Sequence, residues 1–296
     1  MFDADQIVFL DGEFIPLGEA KVSVLDRGFI FGDGVYELIP VYAGEPFRMP
    51  HHLARLQRSL DGIGLANPHT DAQWETLVRG LVGRQPYANQ GVYFQVTRGV
   101  AKRDHAFPKN VEPTVFMMAN PLVNPPQAAV ERGGAAVSAQ DNRWLRCDIK
   151  SISLIGNVLL RQLSAEADAA ETILFRDGKL TEASASNVFI VKQGVIKSPA
   201  KSNLILPGIT YDVIAELAQA NALPISFGDV SEADVRGADE VWVSSSSKEV
   251  FAIVTLDGKP IGDGKPGPVF RRMYQLYQEF KQKVMRSGKR EAVSAA

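Results

Sequence analysis

Short runs of Val, Ile, Phe and Tyr fill the first fifty residues, broken at Asp11-Gly12, Asp26-Arg27-Gly28, Gly32-Asp33-Gly34 and Ala43-Gly44. Runs of that kind between turn residues predict strands and hairpins over residues 7 to 49. At Pro50 the period changes. Leu53, Leu56, Leu60 and Ile63 fall on one face of a helix, and a second helix is predicted over residues 71 to 82 with Trp74, Leu77, Val78 and Leu81 inward. Strand-like runs return at residues 92 to 97 and 114 to 118. A sheet with two helices is an α+β arrangement.

Residues 120 to 127 carry three prolines, two of them adjacent at Pro125-Pro126, which lack backbone donors and resist helix interiors and central strands. This stretch is the predicted linker. The expected organisation is an N-terminal domain over 1–120, a linker over 121–127, a C-terminal domain over 128–285 that holds Lys150, and a disordered tail over 286–296. Within the second domain, residues 135 to 139 read as a strand and residues 154 to 169 as an amphipathic helix. Hairpin signals sit at Asp177-Gly178 and Gln193-Gly194. Gly208-Ile209-Thr210 leads into a helix with Val213, Ile214, Leu217 and Ala218 inward. Strands over 240–244 and 251–256 and a helix over 268–284 complete the pattern, with no repeat of solenoid length.

Composition narrows the partners. The 296 residues carry 32 basic and 34 acidic side chains, a net charge of −2, which argues against nucleic acid or an anionic membrane and for a small-molecule substrate. Cys147 is the single cysteine, so no internal disulfide can form and a reducing cytoplasm fits. The start of the chain is acidic where a secretory signal would be basic, and no apolar run approaches the roughly 20 residues that span a bilayer. The chain is therefore expected to act whole, in solution.

Candidate chemistry centres on Lys150, in Arg146-Cys147-Asp148-Ile149-Lys150-Ser151. Apolar neighbours on both sides would carry the lysine inward. Desolvation lowers an amine's pKa and frees a nucleophile for Schiff-base chemistry. The competing reading is a lysine whose stem packs while its ammonium reaches water. Neither a dinucleotide fingerprint, a phosphate loop nor a nucleophile elbow occurs, and the four histidines lack metal-ligand spacing, so no metal site is expected. Three further features stand out. Gly208-Ile209-Thr210 lies at a helix start, where free donors and the dipole suit a phosphate. Ser244 to Ser247 place hydroxyls at a strand end. Thr181 to Asn187 set a carboxylate, Glu182, among small polar residues. A lysine, a carboxylate and phosphate-binding groups are the set that pyridoxal phosphate chemistry requires.

The order of these motifs resembles the fold type IV pyridoxal phosphate enzymes, which include D-amino acid aminotransferases, branched-chain aminotransferases and aminodeoxychorismate lyases. The likeness runs from about Val8 to about Val284. Its most specific pieces are residues 144–151, the run from Leu180-Thr181-Glu182 to Asn187-Val188-Phe189, and Leu206-Pro207-Gly208-Ile209-Thr210. The resemblance implies two domains, a smaller N-terminal α/β sandwich and a larger C-terminal domain with a mostly antiparallel, barrel-like sheet flanked by helices. It implies that Lys150 is the Schiff-base lysine and Glu182 the partner of the pyridine nitrogen. Arg55, Ile209, Thr210 and Ser246 would hold the phosphate, with Ser186 and Asn187 among the cofactor contacts.

Two details look most like the D-amino acid aminotransferases. Gly34-Val35-Tyr36-Glu37 would turn its tyrosine toward substrate, and Arg103 and His105 would reach into the neighbouring subunit's site, so that Tyr36, Arg103 and His105 trap the substrate α-carboxylate. The expected activity is transfer of an amino group between D-amino acids and 2-oxo acids, with D-alanine and 2-oxoglutarate as substrates, by a homodimer. A branched-chain L-amino acid aminotransferase or an aminodeoxychorismate lyase on the same fold are the alternatives. A cofactor-binding module without turnover is the reading from another class.

Overall fold

In the computed structural model residues 3–285 are described, and the tail predicted over 286–296 lies outside them. The chain divides into two units. One takes the chain through Leu122 together with Ile149–Leu154; the other takes Val123–Asp148 and Ile155–Lys283.

The first unit runs β1 (Ile7–Leu10), β2 (Glu13–Pro16), α1 (Arg27–Phe31), β3 (Gly34–Tyr42), β4 (Glu45–Pro46), α2 (Met49–Gly62), α3 (Asp71–Val82), β5 (Asn89–Thr97) and β6 (Thr114–Pro121). Its six strands lie in the order β2-β1-β6-β5-β3-β4, every pair antiparallel. The apolar stripes of α2 and α3, including Leu53, Leu56, Leu60, Trp74, Val78 and Leu81, pack on Ile39, Val92, Phe94, Val96 and Met117. Trp74 stacks on Phe94 at 5.0 Å between ring centres, and its Nε1 donates to Asn67. A buried ring of this kind contributes about 3–5 kcal/mol against its alanine variant. The start of α3 is fixed by a capping box, Thr70 accepting from Gln73 N and the Gln73 side chain accepting from Thr70 N.

Helix α1 falls where only strands and turns are predicted. It has five residues, too few to show a period, and is held by Asp26 accepting from Gly28 N at 2.7 Å and by Gly32 at φ +67°.

The Lys150 stretch, assigned from sequence to the residues after the linker, packs with this first unit. Tyr36 N donates to Lys150 O at 2.9 Å, Lys150 N donates to Ser59 Oγ at 3.2 Å, and Ile152 N donates to Gly34 O at 3.1 Å. Ile149 is buried in the first unit's core. The chain thus lays a short strap along β3 and α2, and the segment's position follows from its pairing partners.

The second unit runs α4 (Gln127–Arg132), β7 (Gly134–Gln140), α5 (Ile155–Glu166), β8 (Glu171–Arg176), β9 (Lys179–Ala183), β10 (Asn187–Lys192), β11 (Val195–Ser198), α6 (Ile209–Ala220), β12 (Ile225–Phe227), α7 (Glu232–Arg236), β13 (Glu240–Ser245), β14 (Glu249–Leu256), β15 (Lys259–Pro260) and α8 (Pro268–Phe280). Its sheet has nine strands in the order β12-β11-β10-β13-β14-β7-β8-β9, with β15 on β14. Pairs β11·β12, β14·β7 and β7·β8 are parallel and the others antiparallel. The two predicted hairpins form with positive φ at both turn residues, 51° and 73° at Asp177-Gly178 and 52° and 77° at Gln193-Gly194, the geometry that matches strand twist. Helix α4 begins immediately after Pro126. A proline that resists a helix interior is tolerated at its start, where its missing donor is not needed.

Helix α5 lies where an amphipathic helix is predicted, but its apolar stripe faces outward. Ile155, Val158, Leu159 and Leu163 are 44–71% exposed, while Leu160 and Ser164 are buried.

Candidate active site

In the first unit, Lys150 Nζ lies 4.1 Å from the centre of the Tyr36 ring. Lysine and tyrosine are both half-buried, and both backbones are fixed by the strap along β3. One helical turn C-terminal to the buried His52 on α2 is Arg55, which forms a two-pronged ion pair with Glu37 of β3: Nε to Oε1 and Nη2 to Oε2, each 2.8 Å. His52 Nδ1 stands 2.8 Å from the same Glu37 Oε2. Burial alone would raise the Glu37 carboxyl; the Arg55 charge and the bonds from Arg55 and His52 outweigh it and hold Glu37 well below the usual carboxylate range. An ionised Glu37 only accepts, so Nδ1 of His52 carries the proton. His52 Nε2 is buried without a hydrogen-bond partner. Burial lowers the His52 pKa, so the ring is neutral.

Arg103 and His105 lie on the exposed loop between β5 and β6. Arg103 Cζ is 5.3 Å and the His105 ring 5.4 Å from the Phe31 ring centre. Within this unit Lys150 thus lies against Tyr36, and Arg103 and His105 both lie against Phe31.

In the second unit, Glu182 of β9 is buried and accepts three bonds. Arg143 Nη1 donates to Oε1 at 2.6 Å, Asn187 Nδ2 to Oε2 at 3.2 Å and Leu206 N to Oε2 at 3.1 Å. Burial pushes its carboxyl up to about 7, against the pull of the Arg143 charge. Arg143 is divided. Its Nε and Nη2 fork on Asp141 at 2.9 and 3.0 Å, leaving a single bond for Glu182. Sequence reading missed Asp141 and Arg143. The available signal was a charged pair two residues apart just past the end of a predicted strand.

The same carboxylate is tied to the start of α6. Asn187 Nδ2 also donates to Leu206 O at 2.9 Å, and Gly208, which caps α6 without a side-chain bond, is packed so closely that a Cβ there would come within 2.1 Å of Asn187 Oδ1. The first amides of α6, at Ile209 and Thr210, are therefore not capped by the preceding side chain, and both residues are buried. Ser246 follows β13 in the turn before β14 and is half-buried. Ser186 is turned elsewhere. Its hydroxyl donates to Glu171 at 2.8 Å, beside Ser184 and Lys248 Nζ, the latter at 2.9 Å. That buried carboxylate accounts for the serine, and Asn187 alone of the pair reaches Glu182.

The model of the family described as amino-transferase class IV matches residues 34–256. The chain belongs to the class IV aminotransferases. Among this family's members, the D-alanine aminotransferase of Staphylococcus aureus (strain MW2) is 41% identical over 274 residues, covering 92% of this chain and 97% of that protein. The D-alanine aminotransferase of Bacillus licheniformis is 38% identical, covering 92% and 95%. Among solved class IV structures, the branched-chain amino acid aminotransferase of Escherichia coli superposes with a TM-score of 0.85 at 24% identity, over 92% of this chain and 93% of that one. The branched-chain aminotransferase of the archaeon Thermoproteus uzoniensis superposes at 0.86 and 24% identity, over 95% and 97%. The fold expected from sequence, type IV with two sheets, is thereby that of this chain.

The residues fit the group this family implies. A class IV aminotransferase needs an amine for an aldehyde, an acid for a ring nitrogen and donors for a phosphate. The first unit presents Lys150 and Arg55. The second presents Glu182, a carboxyl whose pKa burial raises, and a helix start without a side-chain cap, where a side chain at position 208 would collide with Asn187.

Proposed function

We propose that this chain is a pyridoxal phosphate-dependent transaminase that moves an amino group between D-amino acids and 2-oxo acids, taking D-alanine and 2-oxoglutarate and releasing pyruvate and D-glutamate. The observation that carries this reading is the likeness, over nearly full length, to proteins named D-alanine aminotransferase. Lys150 over Tyr36 supports it from the geometry.

When bound, pyridoxal phosphate supplies an aldehyde that takes up the substrate's amine and a ring that accepts the electrons released as the Cα–H bond breaks. Lys150 would tether the cofactor through Nζ at rest. Once freed by substrate, the same Nζ would take the Cα proton and later give it back to the carbon on the far side of the substrate nitrogen, so one amine would serve as base and acid in turn. Glu182, fixed through Arg143, Asn187 and Leu206, would keep a proton on the ring nitrogen. Arg55, the amides of Ile209 and Thr210, and the Ser246 hydroxyl would hold the phosphate. Glu37 holds Arg55 through Nε and Nη2, so the guanidinium would be fixed in place before the cofactor arrives. Tyr36, Arg103 and His105 would hold the substrate carboxylate and thereby choose which Cα face meets Lys150.

The working form is a homodimer in which Arg103 and His105 of one copy serve the other's substrate. Their exposure supports this, as does the outward apolar stripe of α5, an exposed face of four large side chains that a second copy would cover. A Leu159→Asp change would then shift the protein to monomers in sedimentation and lower turnover. Among the described residues no helix is long and apolar enough to cross a membrane, and the inferred compartment is the cytoplasm.

A substrate scan with both enantiomers tests the activity. D-alanine with 2-oxoglutarate should give pyruvate and D-glutamate, and Lys150→Ala should abolish both turnover and the cofactor's bound absorbance. Faster turnover of L-leucine than of D-alanine would give the protein to the branched-chain reading. Pyruvate release from aminodeoxychorismate without a keto-acid acceptor would give it to the lyase reading.

A further inference from the structure

The loop between Thr97 and Thr114 carries Arg103 and His105 and has neither helix nor strand of its own. A clamp on such a loop can work only if something else fixes its shape. Its neck is closed by backbone: Arg27 N donates to Gly99 O at 2.9 Å, Asp26 bridges Val100, and Gly99 at φ +90° lies so close to Glu112 that a Cβ would come within 1.9 Å of that residue's carbonyl oxygen. Its tip is held by two buried arginines. Arg27 Nη1 donates to Asp104 O at 2.5 Å and to Ala106 O at 3.4 Å, the carbonyls on either side of His105. Arg98 lays its guanidinium 3.7 Å from the centre of the Phe107 ring and anchors its other end on Ile63 O at 2.6 Å and Gly64 O at 3.1 Å.

Both arginines converge on one acceptor. Arg27 Nε donates to Asp33 Oδ2 at 2.7 Å and Arg98 Nε to the same oxygen at 2.8 Å. Two cations of the same sign would repel at that separation, and the Asp33 carboxylate is what lets them sit side by side. Burial would raise the Asp33 carboxyl, but the bonds from Arg98 and Arg27 outweigh it and keep the group ionised. The Phe31 ring fills the remaining side, with Arg27 Cζ at 4.8 Å and Arg103 Cζ at 5.3 Å from its centre. The read-out is directional: carboxylate to arginine fork, fork to the carbonyls flanking His105, ring to Arg103.

We propose that Asp33 is a positioning residue for substrate recognition: through Arg27 and Arg98 it sets the shape of the loop that presents Arg103 and His105, without itself touching substrate. The proposal rests on the reading of Arg103 and His105 as the carboxylate clamp. It assigns a role to residues of the Phe31-Gly32-Asp33-Gly34 stretch beyond that of a turn.

The test is Asp33→Asn in the cofactor-loaded enzyme, with KM and kcat measured for D-alanine and 2-oxoglutarate and hydrogen exchange followed across residues 100–113. The amide keeps the size and removes the charge. Both KM values should rise about tenfold with kcat within about twofold, since a small displacement of a clamp weakens binding more than the proton transfer at Lys150. Cofactor content should stay unchanged and the loop amides should exchange faster. Arg27→Lys, which keeps the charge but cannot span Asp33 and the Asp104 carbonyl together, should do the same more weakly and carries the test should Asp33→Asn fold poorly. Arg103→Ala separates the failures. Raised KM in Arg103→Ala with unchanged KM and exchange in both positioning variants overturns this inference and leaves the clamp standing. Unchanged KM in Arg103→Ala overturns the clamp and the inference with it. Equal loss of kcat and cofactor in Asp33→Asn makes the carboxylate a general support and also overturns the proposal.

Discussion

Two buried glutamates, one in each unit, sit against an arginine, and their carboxyl pKa values are shifted in opposite directions. Glu37 receives both prongs of Arg55 and a third bond from His52, and is held well below the usual carboxylate range. Glu182 receives one prong of an arginine whose fork is spent on Asp141, and burial pushes it up to about 7. Burial is the same; the share of cation differs. A saturated carboxylate is finished as a structural part, while one left short of positive charge still has something to gain from a protonated ring nitrogen. The contrast favours the acid at 182 as the one poised for chemistry, on grounds separate from motif order.

Of the two glutamates, the larger effect on turnover should come from Glu182→Gln. An amide cannot keep a ring nitrogen protonated, and turnover should fall roughly 10²–10⁴-fold. The fold should scarcely notice, because a neutral group is what that burial prefers. Glu37→Gln should invert the pattern. It leaves the Arg55 guanidinium buried with a weakened partner, at a cost near the lower end of the roughly 3–5 kcal/mol for a broken buried pair, read as a shift in the urea midpoint, while turnover per bound cofactor is largely retained. If Glu37→Gln stops turnover and leaves the midpoint in place, the two roles are wrongly assigned.

A pH series on cofactor-free protein sharpens the same comparison. Glu182 has a folded pKa, about 7, above its ordinary 4.5, so its contribution to stability is present below about 4.5 and lost as pH rises through about 7. Spread over that window the loss is on the order of 3 kcal/mol. Glu37 works the other way: its contribution is present above 4.5 and lost only in acid. Thermal melts from pH 5 to 8 should therefore decline in the cofactor-free protein, and decline less in Glu182→Gln. A flat series would remove the case that Glu182 is under-neutralised.

The sequence carried the elements well where a period could build up. Helices α2, α3 and α6, the strands between them and the two hairpins follow from spacing alone. Helices α1 and α4 have five and six residues and show no period. Amphipathicity located α5 but not the direction of its stripe, because a period defines a face and only the neighbours decide what covers it. Position in the chain misled for Lys150, whose strap pairs with β3 across more than a hundred residues. Of the candidate site, the individual residues were visible as a motif order. The partners that tune them were not: Arg143 lies 39 positions from Glu182, and Asp33 with its two arginines reads as an ordinary turn. Such pairs are set by which strands become neighbours, and no local spacing encodes that.

The smallest and most discriminating change is Asp141→Asn. In the native chain Asp141 Oδ1 and Oδ2 take Nε and Nη2 of Arg143, and Oδ1 also takes Arg176 Nη2 at 3.2 Å. Neutralising it removes a negative charge near Glu182 and frees part of the Arg143 cation to act there, and both changes favour ionised Glu182. The decline in cofactor-free stability should move toward acid by about one pH unit, equivalent to about 1.4 kcal/mol. Glu37, in the other unit and with its own arginine, should keep its acid limb where it was. If the Asp141 change moved both limbs, the two glutamates would not be independent, and the difference between them could not be assigned to how each arginine is shared. A displaced limb for Glu182 alone would show that its poise is set by a competing carboxylate two residues upstream of the guanidinium they share.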